Sequence, residues 1–433
     1  MDTTTHPAIA APTREVAPGF AVGTVILKPR KARPFYGRHP WVLDTAIDRV
    51  VGASGDGSTG GGPVSDGDVV DLVADNGKFV ARGIYNSKSR IRVRLYTWNV
   101  VEPLDAALWQ RRIEQAIELR RGLGYEPAAG QRHAAARTSA TRLIYSESDG
   151  LSGLIVDRYG DWLSVQVTGL GMAQRLPEIV PMLVEAVHPR GVSIRTEKGA
   201  PQAEGIELRD GLYWGELPGG PVFIEENGLK YGVDLAEGQK TGFYLDQREN
   251  RLAVAKYFRG RRVLDMFCYS GGFALNASRH GHCLSVTGFD SSAKAVALAK
   301  ANAELNELTN AHFEERDCFE ALEYIAGRDR FGAVILDPPK FARSRSSVED
   351  AMRAYHRLNR LAVNVLEPGG ILVTCSCSGH VTREDFLYML VGVAQQTHRD
   401  IQILEQRGAS ADHPISATCL ENEYLKCYVC RVV

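Results

Sequence analysis

From Arg261 to the C-terminus the chain alternates short apolar runs with stretches of helical periodicity, a pattern that admits few folds. The runs are RVLDMF, LSVTGFD, AHFEERD, GAVILDPP and GGILVTCS, and a helix-compatible stretch follows each. SAKAVALAKANAELN, for example, is built of strong helix formers with apolar residues at helical spacing. Strands that run in the same direction need a crossover, and helices supply it. The predicted fold class is therefore α/β, with a parallel, doubly wound sheet. The last two runs, IQILEQR and YLKCYVCRVV, have no convincing helix between them. They predict a terminal antiparallel hairpin at the edge of that sheet.

The residues before Arg261 divide differently. At 433 residues the chain is too long for one ordinary core. Between Val22 and Trp98, VGTVILK, DGDVVDLVAD, GKFVARGIY and IRVRLYTW are strand-like runs broken by Gly and Asp turns. The Gly/Ser-rich stretch from Gly52 to Pro63 reads as a flexible surface loop. A small β-domain is predicted over 22–100. Next, ALWQRRIEQAIELRRGL predicts an amphipathic helix with Ile113, Ile117 and Leu119 on its apolar side. GLIVDRYGDWLSVQVTG predicts a hairpin, a helix is placed near Leu176 to Val187, and GVSIRTE and PVFIEENGLKYGVDL read as further strands. These form a middle α+β domain over 101–234, leaving the doubly wound domain at 235–433.

Residues 1–21 read as a disordered leader, because they lack a basic start and an unbroken apolar core and contain Arg14 and Glu15. No run approaches about 18 apolar residues, so neither a membrane-spanning helix nor a membrane partner is predicted. The eight cysteines are sparse and lie mostly in apolar runs, as free thiols of a reducing cytoplasm do. A formal net charge of -1 gives no overall argument for a nucleic-acid partner, but Arg and Lys cluster in the first hundred residues.

Doubly wound sheets bind ligands at the C-terminal ends of their strands, and acids end four of these in succession: Asp265, Asp290, Asp317 and Asp337. A single Asp there often caps the next helix. Four in order, each before a helix, point to a ligand site. The first lies in VLDMFCYSGGF, where Gly271 and Gly272 let backbone approach a ligand at a helix N-terminus and Phe267, Tyr269 and Ser270 share the turn. The string is not G-x-G-x-x-G, so the dinucleotide fingerprint is missing. Asp290, followed by Ser291, is placed to accept from both ribose hydroxyls of an adenosine. ILDPPKF, with Asp337, Pro338 and Lys340, resembles the Asp/Asn-Pro-Pro motif of nucleic-acid and amino-group methyltransferases. Asp317, followed by Cys318, matches the position that accepts from the adenine amino group. Order and spacing from Arg261 to Val433 resemble the class I S-adenosylmethionine-dependent methyltransferases, a Rossmann-like fold with S-adenosylmethionine as cofactor.

Cytosine carbon 5 is not nucleophilic, so its methylation needs a thiolate added at carbon 6. GGILVTCSCSG offers Cys375 and Cys377, two apart near a strand end and hence on one face. Counting from Gly369 and Gly370, the Gly-Gly-x-Leu-Val-x-x-Ser/Thr-Cys-Ser pattern of RNA cytosine-5 methyltransferases falls on Ser376-Cys377-Ser378, which favours Cys377. Cys375 matches the shorter Thr-Cys-Ser string and stays as the alternate. Many such enzymes carry a second Cys after the fourth strand; Lys340 stands in that place here.

The chain further resembles the ribosomal large subunit methyltransferase I family over nearly all of its length after the leader. GRHPWVLDTAIDRV and GDVVDLVADNGKFVARGIYNSKSRIRVRL are similar to that family's PUA domain, a small RNA-binding β-barrel. SDGLSGLIVDRYGDWLSVQV and FIEENGLKYGVDLAEGQKTGFYLDQRENR match farther on. The resemblance implies methylation of a 23S rRNA cytosine at carbon 5, on naked RNA or a large-subunit precursor. It also implies that GQKTGFYLDQR lines the cofactor pocket, making Gln239, Thr241, Gly242, Phe243, Gln247 and Arg248 candidate contacts. Lys28, Arg30, Lys31, Arg33 and Arg38, mixed with Phe35, Tyr36 and Trp41, are candidates for phosphate and base contact. Arg90, Arg92 and Arg94 alternate along a strand and would extend one basic face.

Cys427 and Cys430 form a CxxC with no second Cys/His pair and are assigned to packing; His356 and His413 read as isolated loop or surface residues. No metal is predicted, and a homodimer is left open. Two rival functions stand beside cytosine-5 methylation: methyl transfer to a purine amine or ring nitrogen of rRNA without a covalent intermediate, and a non-catalytic RNA-binding protein with a vestigial cofactor pocket.

Overall fold

The computed structural model describes residues 18–52, 62–127, 138–196, 199–235, 242–342 and 344–433. Most of the leader and of the Gly/Ser-rich loop lie outside them.

The N-terminal strands are β1 (Gly23–Leu27), β2 (Trp41–Leu43), β3 (Ile47–Gly52), β4 (Val69–Val73), β5 (Phe79–Tyr85) and β6 (Ile91–Thr97), with the short helix α1 (Arg33–Tyr36) after β1. They form one sheet in the order β2-β6-β5-β4-β1-β3, curled round Val25, Leu27, Phe35, Val42, Val70, Leu72 and Val93. Phe35 is thus a core residue, because α1 turns it inward while Tyr36 stays exposed.

The middle sheet has the order β11-β10-β9-β8-β7, from β7 (Ala140–Tyr145), β8 (Leu154–Tyr159), β9 (Trp162–Val167), β10 (Gly191–Thr196) and β11 (Gly211–Gly215). Helices α2 (Ala106–Gly122) and α3 (Leu170–Val187) share its apolar cluster, and the short α4 (Ala200–Glu204) follows β10. Tyr159 pairs with Trp162, so the predicted hairpin turns through Gly160 and Asp161. The apolar stripe of α2 runs through Leu108, Ile113 and Ile117 to Arg120, while Leu119 is exposed. Arg120 takes the inward position at helical spacing because Asp149 meets its guanidinium there at 2.7 and 2.9 Å.

The hairpin of β12 (Val222–Glu226) and β13 (Leu229–Val233) shares its buried cluster with the C-terminal sheet. That sheet contains β14 (Arg262–Met266), β15 (Ser285–Asp290), β16 (Ala311–Glu315), β17 (Phe331–Leu336), β18 (Leu366–Ser376), β19 (Ile401–Arg407) and β20 (Lys426–Val432). Its order is β16-β15-β14-β17-β18-β20-β19, parallel from β16 to β18, with β20 antiparallel to both of its neighbours. Helices α5 (Arg248–Ala255), α6 (Gly272–Arg279), α7 (Ala293–Leu305), α8 (Cys318–Ile325), α9 (Val348–Asn364) and α10 (Arg383–Thr397) complete the winding. Cys427 and Cys430 are buried in β20, and all eight cysteines are free. Among the described residues no helix is long and apolar enough to cross a membrane.

Buried ion pairs join the three sheets. Arg94 donates to Glu147 and to Glu204, each at 3.3 Å, so it closes the first sheet onto the middle one and adds nothing to an outer basic face. Asp412, fully buried between β19 and β20, accepts from Arg248 Nη1 at 2.9 Å, Thr141 Oγ1 at 3.1 Å and the Arg142 amide at 3.1 Å. Its neighbour His413 is buried and 2.9 Å from its other oxygen, contrary to the surface placement, because the ring packs against Tyr145. Burial opposes ionisation of Asp412, but Arg248, His413 and the Arg142 amide outweigh it and hold the carboxyl well below its usual range. Asp412→Ala leaves Arg248 buried without that partner, and we expect it to lower unfolding free energy by about 3–5 kcal/mol in denaturant titration. A depressed carboxyl stabilises above its unfolded pKa, so the gap between wild type and variant should narrow as pH falls below about 4.

Candidate active site

The winding reverses between β14 and β17, and the C-terminal ends of these strands open the crevice where such sheets take ligands. Asp265, near the end of β14, is 1% exposed; its Oδ2 accepts from the Ala274 amide at 3.0 Å, while its Oδ1 has no partner. Burial, reinforced by Asp337 and Asp290, pushes the carboxyl up to about 8. The turn after it is held in the left-handed region at Phe267 (φ 64°), Tyr269 (φ 46°) and Gly271 (φ 80°), a concentration of strain found where backbone must face a ligand. A Cβ on Gly271 would lie 2.7 Å from Leu275, and one on Gly288 would lie 2.6 Å from Phe313. Neither position has room for a side chain.

Asp290 braces this turn: Oδ2 accepts from the Tyr269 amide at 3.0 Å, and Oδ1 from the Ser292 amide at 2.9 Å. Cys318 braces it from below, accepting from the Phe267 amide at 3.2 Å, and burial pushes its thiol up to about 12. Asp317 is exposed and caps α8, its Oδ1 accepting from the Phe319 and Glu320 amides at 2.9 and 3.1 Å. Ser270 is buried, Ser291 is exposed, and Gly272 opens α6.

The other wall is formed by Gln247, Tyr244, Asp337 and Cys377. Gln247 donates to Asp337 Oδ1 at 3.0 Å and accepts from Asn250 at 2.7 Å, which fixes its amide. Tyr244 lies edge-on to Tyr269, ring centroids 5.3 Å apart, and the Tyr269 hydroxyl donates to the Gly242 carbonyl at 3.3 Å. Burial first, then the charges of Asp337 and Cys377, push the Tyr244 phenol up. Cys377 stands just beyond β18, with its thiol 3.8 Å from the Pro338 carbonyl. It is the one cysteine of eight that is not buried. Cys375 is fully buried within β18, opposite Cys427 on β20, and the hydrogen bond to Cys427 together with burial pushes its thiol well up.

Several sequence candidates stand elsewhere. Gln239 and Thr241 lie outside the described residues. Phe243 is buried against Tyr231, and Arg248 is spent on Asp412 and the Ala140 carbonyl. Lys340 is exposed past the Pro-Pro turn. Lys28, Arg30, Lys31, Arg33, Arg38 and Arg90 are exposed, Arg92 is half-buried, and Trp41 donates to Glu147 at 2.9 Å. Tyr244 and Lys426 went unnamed in the sequence; a lone lysine inside the apolar YLKCYVC was the available signal.

Comparison with known proteins identifies both kinds of domain. A PUA-like domain model matches residues 25–98, and a model described as S-adenosylmethionine-dependent methyltransferase matches 215–413. Proteins named ribosomal RNA large subunit methyltransferase I from Citrobacter koseri and from Escherichia coli are each 37% identical over 417 residues, covering 96% of this chain and all of the relative. A candidate methyltransferase crystallised with SAH shares the fold at TM-score 0.78 and 20% identity, over 94% of this chain and 99% of that one. A candidate SAM-dependent methyltransferase from Streptococcus mutans gives 0.77, 19%, and the same coverage.

S-adenosylmethionine carries an ammonium, a sulfonium and ribose hydroxyls, and the residues present fit them. The orphaned Asp265 oxygen offers a buried carboxyl acceptor for the ammonium, beside a turn held left-handed at Phe267, Tyr269 and Gly271. A raised carboxyl pKa makes a negative contribution to stability that grows as pH rises from about 4 to about 8. Asp265→Asn should therefore melt no lower than wild type at pH 8 without ligand, yet bind S-adenosylmethionine about tenfold or more weaker by calorimetry.

Proposed function

The chain belongs to the ribosomal RNA large subunit methyltransferase I family and uses S-adenosylmethionine, and on that premise we propose that it methylates a cytosine of 23S rRNA at carbon 5 through the thiolate of Cys377. The coarser activity, S-adenosylmethionine-dependent methylation of large-subunit rRNA, follows from family membership. The observation that carries the finer reading is the position of Cys377, the only unburied cysteine, against the carbonyl of Pro338 in the Asp337-Pro-Pro turn.

In this reading Asp265 and the glycine turn hold the amino-acid end of the cofactor, Asp290 its ribose and Asp317 its adenine. The bound cofactor supplies an electrophilic methyl group. Cys377 loses its proton, and its sulfur bonds to cytosine carbon 6, pushing the ring electrons to carbon 5. Carbon 5, made nucleophilic in this way, would be the acceptor of that methyl group. Loss of the carbon 5 proton to base then expels the thiolate and restores the aromatic ring. Asp337, held by Gln247, and Pro338 frame the base, which must leave its stack to reach the thiol. The exposed cations Lys28, Arg30, Lys31, Arg33 and Arg38 take the RNA backbone at a distance from the chemistry.

Methyl transfer from labelled S-adenosylmethionine to unmodified rRNA, followed by nucleoside analysis, should place the label in 5-methylcytidine. Cys377→Ala should lower kcat by about a thousandfold or more while leaving cofactor affinity intact. Cys375→Ala should cost about 1–2 kcal/mol of stability and little rate. Label in a methylated purine, with Cys377→Ala active, would sink the thiolate reading and leave the cofactor site standing.

A further inference from the structure

Lys426 is 1% exposed and is the only lysine in the buried set among the described residues. It enters β20 opposite Ser376, the last residue of β18. Its ammonium donates to the carbonyls of Ser378 at 2.7 Å, Val381 at 2.7 Å and Tyr424 at 2.8 Å, so all three donors go to neutral oxygens. No carboxylate lies within ion-pair distance among the described residues. A buried cation without an anion is costly, and a structure that keeps one has a use for its field.

The charged and titratable groups that face it are few. Cys377 lies on the loop just after β18, Arg383 and Asp385 in the first turn of α10, and Glu423 just before β20. Glu423 is taken by the Arg383 guanidinium, and Asp385 by the Thr382 cap of α10. Tyr355, bonded to Ser376 and Ser378, stays neutral because burial raises its phenol to about 12. Cys377 is the neighbour of Ser378, whose carbonyl the ammonium holds at 2.7 Å, and its thiol lies 3.8 Å from the Pro338 carbonyl.

We infer that Lys426 is the positioning residue of the nucleophile: its ammonium ties down the 378–381 loop and stabilises Cys377 as a thiolate. The inference rests on the reading of Cys377 as nucleophile. On ionisation the thiol proton passes to solvent and Lys426 keeps its own three, so a neighbouring cation-anion pair forms without any proton exchange between them. Burial draws Lys426 down to about 8, while Cys377 pulls in the opposite direction, as a reciprocal pair must. The ammonium is therefore mostly protonated at neutral pH.

Iodoacetamide alkylation of the full chain across pH, read by mass spectrometry at the Cys377 peptide, tests this directly, since the other cysteines are buried. Lys426→Gln keeps two donors for the carbonyls and removes the charge. It should slow alkylation at pH 7 about tenfold, shift the profile to higher pH by about one unit, and lower kcat without raising KM for RNA. Lys426→Arg should recover much of the alkylation rate. An unchanged profile in a Gln variant that melts like wild type overturns the inference. Should that variant melt early, the wild-type profile decides: a midpoint below the roughly 8.5 of free cysteine supports it, and one at or above that overturns it. Methylation that persists in Cys377→Ala would instead remove the nucleophile reading, while the alkylation profiles still report the effect of Lys426.

Discussion

The carboxylate of Asp412 is the point on which the architecture turns. It lies between β19 and β20, and through Arg248, Thr141 and the Arg142 amide it fastens α5 and β7 to the far edge of the C-terminal sheet. Arg120 adds a bond to the Asp412 carbonyl at 2.8 Å, bringing α2 into the same knot. Buried charges of this kind give modest net stability but penalise every arrangement that separates them. They hold one mutual placement of sheets whose apolar contacts alone are non-directional. The segment from Gly408 to Tyr424 is pinned by that knot, and it delivers Tyr424 to Asp246 and Lys426 to the loop beyond Cys377. The placement of the loop that follows Cys377 is therefore tied to a contact well outside the pocket.

The cofactor crevice shows the converse arrangement, charge left unmatched. Asp265 is costly to ionise because it is buried and faces Asp337 and Asp290, and it keeps an oxygen without a partner. Three strained or glycine residues in one turn add to the cost. Such a site is poor for the empty protein and good for a cationic ligand, which is how binding energy comes to be concentrated there. Across the crevice, Lys426 supplies the opposite sign beside Cys377.

Much of this was legible in the chain. The strand-end acids, the Pro-Pro turn and the terminal hairpin follow from periodicity and turn chemistry, which are local properties. What failed were inferences that needed a partner. Arg94 reads as part of a basic stripe until Glu147 and Glu204 meet it. His413 reads as a surface residue until Asp412 and Tyr145 enclose it. Leu119 and Arg120 exchange the expected sides of α2 because Asp149, far along the chain, rewards the arginine. Arg248, in a string suggestive of a pocket lining, proves to serve the knot between sheets.

By itself the sequence determined the α/β winding, the strands whose ends carry acids, and the family to which the chain belongs, because hydrophobic period and motif spacing are encoded within a few residues. Only the tertiary structure decided which of two neighbouring cysteines is open. Two-residue spacing would put Cys375 and Cys377 on one face, but the strand stops at Ser376, so one thiol packs against Cys427 and the other turns toward Pro338. The sequence likewise could not say that a lysine in an apolar strand would find three carbonyls, two of them in the loop beyond Cys377, since those groups come from segments brought together by folding.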